Sequence, residues 1–344
     1  MRKLQLNGGS SLILVFSFLT ILLTACSQTS TQDKAALEFR RGMFERLQRN
    51  LSEPIITRVQ EMPSDMLKAL KDYDLSIGMG NSSKYVARMA TAEELALINS
   101  YFNLLPNSYQ TILKRKLLAV YLIDGFSGAG LTDWVVDRDG NTYYYLAFNS
   151  SLLHETIDDW LTYKENSFFD NSALSPVVRV HTKTKFKAMM YGLLHEGAHI
   201  VDYELAITPY LDPLHRHLKG RTQESSAFTN GVWVRRTQPE TRYDFKHRVD
   251  LNLYGSVKAR GLIPRSELVG MFSQLTKTPF VNFYSGTSWN EDLADYFTYQ
   301  YIEKKLGGTV SVELIQQDST IERYEPLRTN VAQERERFVR DFYE

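Results

Sequence analysis

Residues 185–204 read KFKAMMYGLLHEGAHIVDYE. Phe186, Met190, Leu193, Leu194, Gly197 and Val201 recur at helical spacing, which predicts one amphipathic helix over the whole stretch. Inside it stands His195-Glu196-Gly197-Ala198-His199, the pattern HExxH. Residues four apart share a helix face, so both imidazoles point at one metal ion. Glu196 is rotated toward the cleft, where its carboxylate reaches a metal-bound water without occupying the metal. The other reading is a pair of structural histidines held by hydrogen bonds.

Two imidazoles do not complete a catalytic zinc site, which takes three protein ligands and keeps an open position. The third His of the HExxHxxGxxH pattern is absent, since Leu205 stands there. Farther along, residues 288–295 (SWNEDLAD) open a second predicted helix. Glu291 is the candidate third ligand. Asp295 lies one turn later on the same face, placed to accept from the non-ligating nitrogen of a metal-bound His. Ala294 is small enough to let two helices approach. Glu224 is the rival ligand, but it has no acid at the i+4 place. Asp202 reads as a structural hydrogen-bonding group, and His215 and His217 as loop histidines. His154-Glu155 with Asp158 forms an incomplete copy of the motif on a surface face. Lys183, Lys185 and Lys187 form a solvated basic edge, and the 20 Tyr and 18 Phe supply core.

HEGAH with a downstream NExxxD resembles the gluzincin branch of zinc metallopeptidases, the thermolysin-like group. The likeness covers the two helices only. It implies one Zn²⁺ per chain, held by His195, His199 and Glu291, with Glu196 as general base and Asp295 orienting a ligand. It also implies an edge strand against which substrate backbone lies, and 131–137 is the candidate. The gap between His199 and Glu291, about ninety residues, is far longer than in the thermolysin pattern, so 205–260 reads as an insert or lid. No His follows His247, so the oxyanion or proton donor is sought among Tyr284, Tyr296, Tyr299 and insert histidines such as His247.

Around these helices the sequence predicts an α+β fold, a zincin-like domain over 117–344 preceded by a helical region over 35–116. The helices fall at 35–51 and on either side of Leu105-Pro106-Asn107 within 92–118, because a residue before Pro is disfavoured in the helical region. A β-type run at 117–123 follows, then the turn-rich GFSGAG at 125–130, read as a flexible connection. Arg138-Asp139-Gly140-Asn141 marks a hairpin between 131–137 and 142–148. Further helices are expected at 149–163, 266–275 and 290–306, then a strand at 309–315 and a charged C-terminal helix. Strands grouped ahead of helices point to α+β rather than alternating βαβ units.

The chain has 344 residues, of which 43% are apolar and 23% charged, close to the globular average. Forty basic residues against forty acidic ones remove the electrostatic reason to expect a nucleic-acid partner. A single cysteine excludes an internal disulfide framework and any multi-Cys metal site. That cysteine, Cys26, follows a basic start (Arg2, Lys3), an apolar run at 12–23 and the small pair Thr24-Ala25. The arrangement resembles the lipobox of bacterial lipoproteins. It implies a signal peptide over 1–25, acylation of Cys26, a polar tether over 26–34, and a membrane-anchored protein of the cell envelope. Ser27 after the cysteine favours the outer membrane. The function expected is hydrolysis of peptide bonds in a protein or peptide substrate. A zinc-braced binding lipoprotein and a hydrolase of cell-wall peptide or amide bonds are the alternatives.

Overall fold

The structure, a computed structural model, describes residues 31–47, 51–79, 81–255, 257 and 261–340. The expected leader, Cys26 and the first part of the tether lie outside those residues. Helix α1 (Thr31–Leu47) takes in residues 31–34, so they are helix rather than tether. Asp33 in the first turn complements the positive end of the helix. Helix α2 (Ser64–Ser76) and strand β1 (Val86–Arg88) follow. The Pro106 break separates α3 (Ala92–Phe102) from α4 (Asn107–Lys116) as the sequence predicts. Thr91 and Glu94 form a reciprocal capping box that starts α3.

Strands β2 (Leu117–Asp124), β3 (Gly130–Val136) and β4 (Thr142–Asn149) join β1 in a mixed sheet of order β1-β2-β4-β3. β3 and β4 are the expected hairpin, and β2 pairs with β4 in parallel. This sheet is covered on both faces, which is why β2 reads as an unbroken apolar run. Trp134, Val136, Tyr144, Leu146 and Phe148 face the main core, while Val135, Tyr145 and Ala147 face a second cluster with Met43, Met62 and Met66.

Residues 149–163 do not form one helix. A 3₁₀ turn over Ser150–Leu153 comes first, and α5 (Ile157–Asn166) starts only at the Thr156 cap. The Thr156 hydroxyl accepts from the Asp159 amide, a stronger start signal than anything earlier in the segment. Strand β5 (Val177–His181) leads to the motif helix α6 (Ala188–Leu205). The segment 205–260 holds α7 (Pro213–Leu218) and the short hairpin β6 (Trp233–Arg235) with β7 (Gln238–Pro239). Helices α8 (Leu268–Leu275) and α9 (Trp289–Lys304) agree with expectation to within a few residues. After β8 (Ser311–Gln316), the chain adds β9 (Ser319–Tyr324) before α10 (Asn330–Glu336). β9 was not expected: it is an exposed edge strand, and burial does not impose an apolar pattern on it. β5, β8 and β9 make a separate antiparallel sheet.

The result is an α+β protein in which α6 lies between the mixed sheet and α9. Helices α3 and α4 share one apolar core with α6 and α9, whereas the buried apolar residues of α1 and α2 belong to the second cluster. Tyr109 of α4 stacks on Phe297 of α9, with ring centroids 4.8 Å apart. Its ring backs Gly197, where an added Cβ would come within 3.0 Å of Tyr109 Cδ2. Gly197 therefore sets how closely α4 can approach the motif helix. Among the described residues, no helix is long and apolar enough to cross a membrane.

Candidate metal centre

His195, Glu196 and His199 are all nearly buried on α6. Glu291 reaches them from the first turn of α9, where the helix dipole favours a carboxylate. Its Oε2 lies 3.2 Å from His195 Nε2 and 3.5 Å from His199 Nε2. The two imidazole planes are 89° apart. Tetrahedral coordination with bonds of about 2.0–2.2 Å puts neighbouring ligand atoms about 3.3–3.6 Å apart. Both contacts therefore fit two ligand atoms on one ion, and the three side chains form a group that could hold a metal. Asn290 donates its Nδ2 to the other Glu291 oxygen at 3.0 Å, which fixes the carboxylate's rotation.

Behind His195 the packing is saturated. Asp295 Oδ1 accepts from His195 Nδ1 at 2.9 Å and from Tyr191 Oη at 2.7 Å. Its Oδ2 accepts from Lys164 Nζ and Asn282 Nδ2, each at 2.8 Å. Lys164 also donates to Tyr191 Oη at 2.6 Å. A His195 that donates from Nδ1 leaves the Nε2 lone pair for a cation. Asp295 thus meets the His195 nitrogen that faces away from Glu291. Asp292, next to Glu291, faces the other way and binds Arg335 of α10 and Trp233 of β6, anchoring α9 to both.

The electrostatics follow from this burial. Burial opposes charge on His195, but Asp295 and Glu291 outweigh it and push the imidazole up to about 10. His199 is raised against the same opposition by Glu291. Glu291 is held well below the usual carboxylate range, because the two imidazoles overcome its own burial. Asp295 is held low in the same way by Lys164 and His195. A cation entering the group must displace imidazole protons, so its affinity rises with pH.

In front of the triad, Thr132 on β3 places its hydroxyl 2.7 Å from Glu196 Oε2 and 2.9 Å from the Glu196 carbonyl oxygen. β3 approaches so closely that a Cβ on Gly130 would come within 2.8 Å of Glu196 Cγ. The GFSGAG segment, expected only as a flexible connection, thus ends in a glycine that the site requires. Tyr284 is partly exposed beside His195, with ring centroids 6.1 Å apart. Burial and the Glu291 and Glu196 carboxylates raise its phenol well above 10, which keeps it a hydrogen-bond donor.

The remaining candidates lie elsewhere. Glu224 is exposed and paired with Arg216 at 2.6 Å, so the rival third ligand is not brought to the imidazoles. Tyr299 is buried behind Asp295, accepting from Asn282 at 3.1 Å. Tyr296 donates to the Ala332 carbonyl, and His247 pairs with Asp250 at 2.9 Å. Asp202 accepts from the Thr208 amide at 2.7 Å, as a structural group should. His215 is not a solvated loop histidine: it is buried against Trp134 and Tyr203, and burial pushes it down to about 2.

Sequence reasoning missed Lys164, Tyr191 and Thr132. Two of them had signals. Tyr191 stands four residues before His195 on the same face, and Lys164 continues the buried stripe Ile157, Trp160, Leu161 of α5. Comparison with models of known protein families, with curated proteins and with solved structures gives no match.

Proposed function

We propose that this chain is a zinc-dependent metallopeptidase of the gluzincin kind, built on a zincin-like scaffold and held at the bacterial cell envelope by a lipid on Cys26. The observation that carries the reading is the meeting of Glu291 with both imidazoles at coordination spacing. The catalytic pattern of three protein ligands and an open position suits it. Among the described residues the group has no fourth member of the kind a closed structural site needs.

A bound zinc ion would supply Lewis-acid polarisation and lower the pKa of a water toward about 7. The chain's own residues supply the rest. Glu196, held through Oε2 by Thr132, takes a proton from the attacking water and passes it to the leaving amine nitrogen. Tyr284, whose ring lies beside His195, would offer a neutral O–H to the oxyanion. Asp295 keeps His195 in the tautomer that binds metal.

Glu196→Gln should keep zinc at one per chain and lose hydrolysis of an unfolded protein substrate by about 10²–10⁴-fold. Glu291→Ala should lose the metal, read as zinc stoichiometry after dialysis. Undiminished hydrolysis in the first variant overturns the reading.

A further inference from the structure

A cavity of about 340 Å³ runs along the free edge of β3. Gly130, Leu131 and Asp133 form one lip, and Leu253 and Tyr254 of the insert bound it below. Its upper wall comes from the N-terminal helices: Phe39 and Met43 of α1, Met66 and Leu70 of α2. The size falls within the roughly 300–1,000 Å³ of ligand pockets, and methionine linings adapt to varied apolar shapes.

The strand edge says what comes to this cavity. The Asp137 amide bonds the Asn141 carbonyl, and the Asn149 amide bonds Ala129, so odd-numbered residues of β3 point their backbone groups at β4. Gly130, Thr132 and Trp134 therefore point theirs outward. At Trp134 this edge is closed: its amide donates to Asp133 Oδ1 at 2.8 Å, and Arg40 of α1 donates to its carbonyl. Gly130 and Thr132 remain, and they are the residues that flank Glu196. An added strand pairs there over a short length, and alternate side chains leave it on the side facing away from α6. That is the side on which α1 and α2 form the cavity.

We propose that this cavity is the recognition pocket for one bulky apolar side chain (Phe, Leu or Met) of an extended polypeptide, and that α1 and α2 are specificity elements rather than a spacer. The cleavage that follows binding rests on the peptidase reading, whereas the binding itself does not.

The test uses the zinc-loaded Glu196→Gln protein and fluorescent Gly/Ser peptides that carry a single Phe or, in its place, Ser, followed by anisotropy. The Phe peptide should bind about 10–100-fold more tightly. Ala69→Trp and, separately, Ala36→Trp fill the cavity from α2 and α1, and each should remove most of that preference while zinc stoichiometry and Tm hold. The comparison of Phe and Ser peptides in the unfilled pocket needs neither variant to fold. Equal binding of the two peptides overturns the proposal, as does a preference that survives both fillings. Uptake of a fluorescent fatty acid without peptide binding overturns it too, by assigning the cavity to an acyl chain. Wild-type protein separates the two readings. Selective binding without cleavage sinks the peptidase alone, and cleavage indifferent to the apolar residue sinks the pocket alone.

Discussion

Behind His195 and in front of Glu196, one helix is held by opposite kinds of surroundings. On the back, Asp295 is fully buried and accepts from His195, Tyr191, Lys164 and Asn282. On the front, Glu196 is held by one threonine hydroxyl and bordered by the bare backbone of Gly130, beside an apolar cavity with methionine walls. The back holds one imidazole through a full set of charge-assisted bonds. The front is made of backbone and apolar surface, where the proposed substrate chain would lie. On the proposed reading, rigidity is placed where a cation needs fixed ligands, and openness where a substrate would enter.

The largest break of this contrast comes from the back. Lys164→Met leaves the buried Asp295 without its cation and should cost about 3–5 kcal/mol of stability, read as a fall in Tm. An unchanged Tm would mean that Tyr191, Asn282 and His195 alone carry the carboxylate.

Glu165 sharpens the comparison because it lies on the back yet is poorly served there. It takes one bond, from the Phe283 amide at 3.0 Å, and its Oε1 has no partner among the described residues. Burial raises it from 4.5 to about 7, against the pull of Lys164. A carboxyl raised on folding contributes stability that is present below its unfolded pKa and lost as pH climbs through 7. Glu165→Gln should therefore match wild type near pH 4.5 and exceed it by up to about 3 kcal/mol at pH 8. Parallel pH profiles of unfolding free energy would contradict this.

The smallest effect is expected at the front. Gly130→Ala forces Glu196 aside, since the new methyl would meet Cγ at 2.8 Å. Hydrolysis should fall about tenfold or more with zinc stoichiometry unchanged, because misplacement of a reacting group costs rate rather than metal. Loss of metal in this variant would show that β3 also supports the ligands.

Legibility followed the range of the interactions. HExxH, the one-turn spacing of Glu291 and Asp295 and the hairpin before them were readable because each is a local pattern, a helix face or a turn, whose geometry is fixed within a few residues. The late start of α5 was missed because the Thr156 cap outweighed an apolar pattern that begins earlier. Lys164 was half legible: a lysine on a buried stripe signals a buried partner, but nothing in the sequence says that the partner lies 131 positions away. His215 was misread for the converse reason, as a loop residue that distant aromatic rings enclose.

By itself the sequence determined which residues could bind a cation, because side-chain chemistry and helical periodicity are local properties. Only the tertiary structure decided that Glu291 rather than Glu224 meets the imidazoles, that Lys164 stands behind Asp295, and that α1 closes the β3 edge at Trp134. Those choices are made by which apolar faces bury against one another, a property of the whole core that a stretch of sequence does not contain.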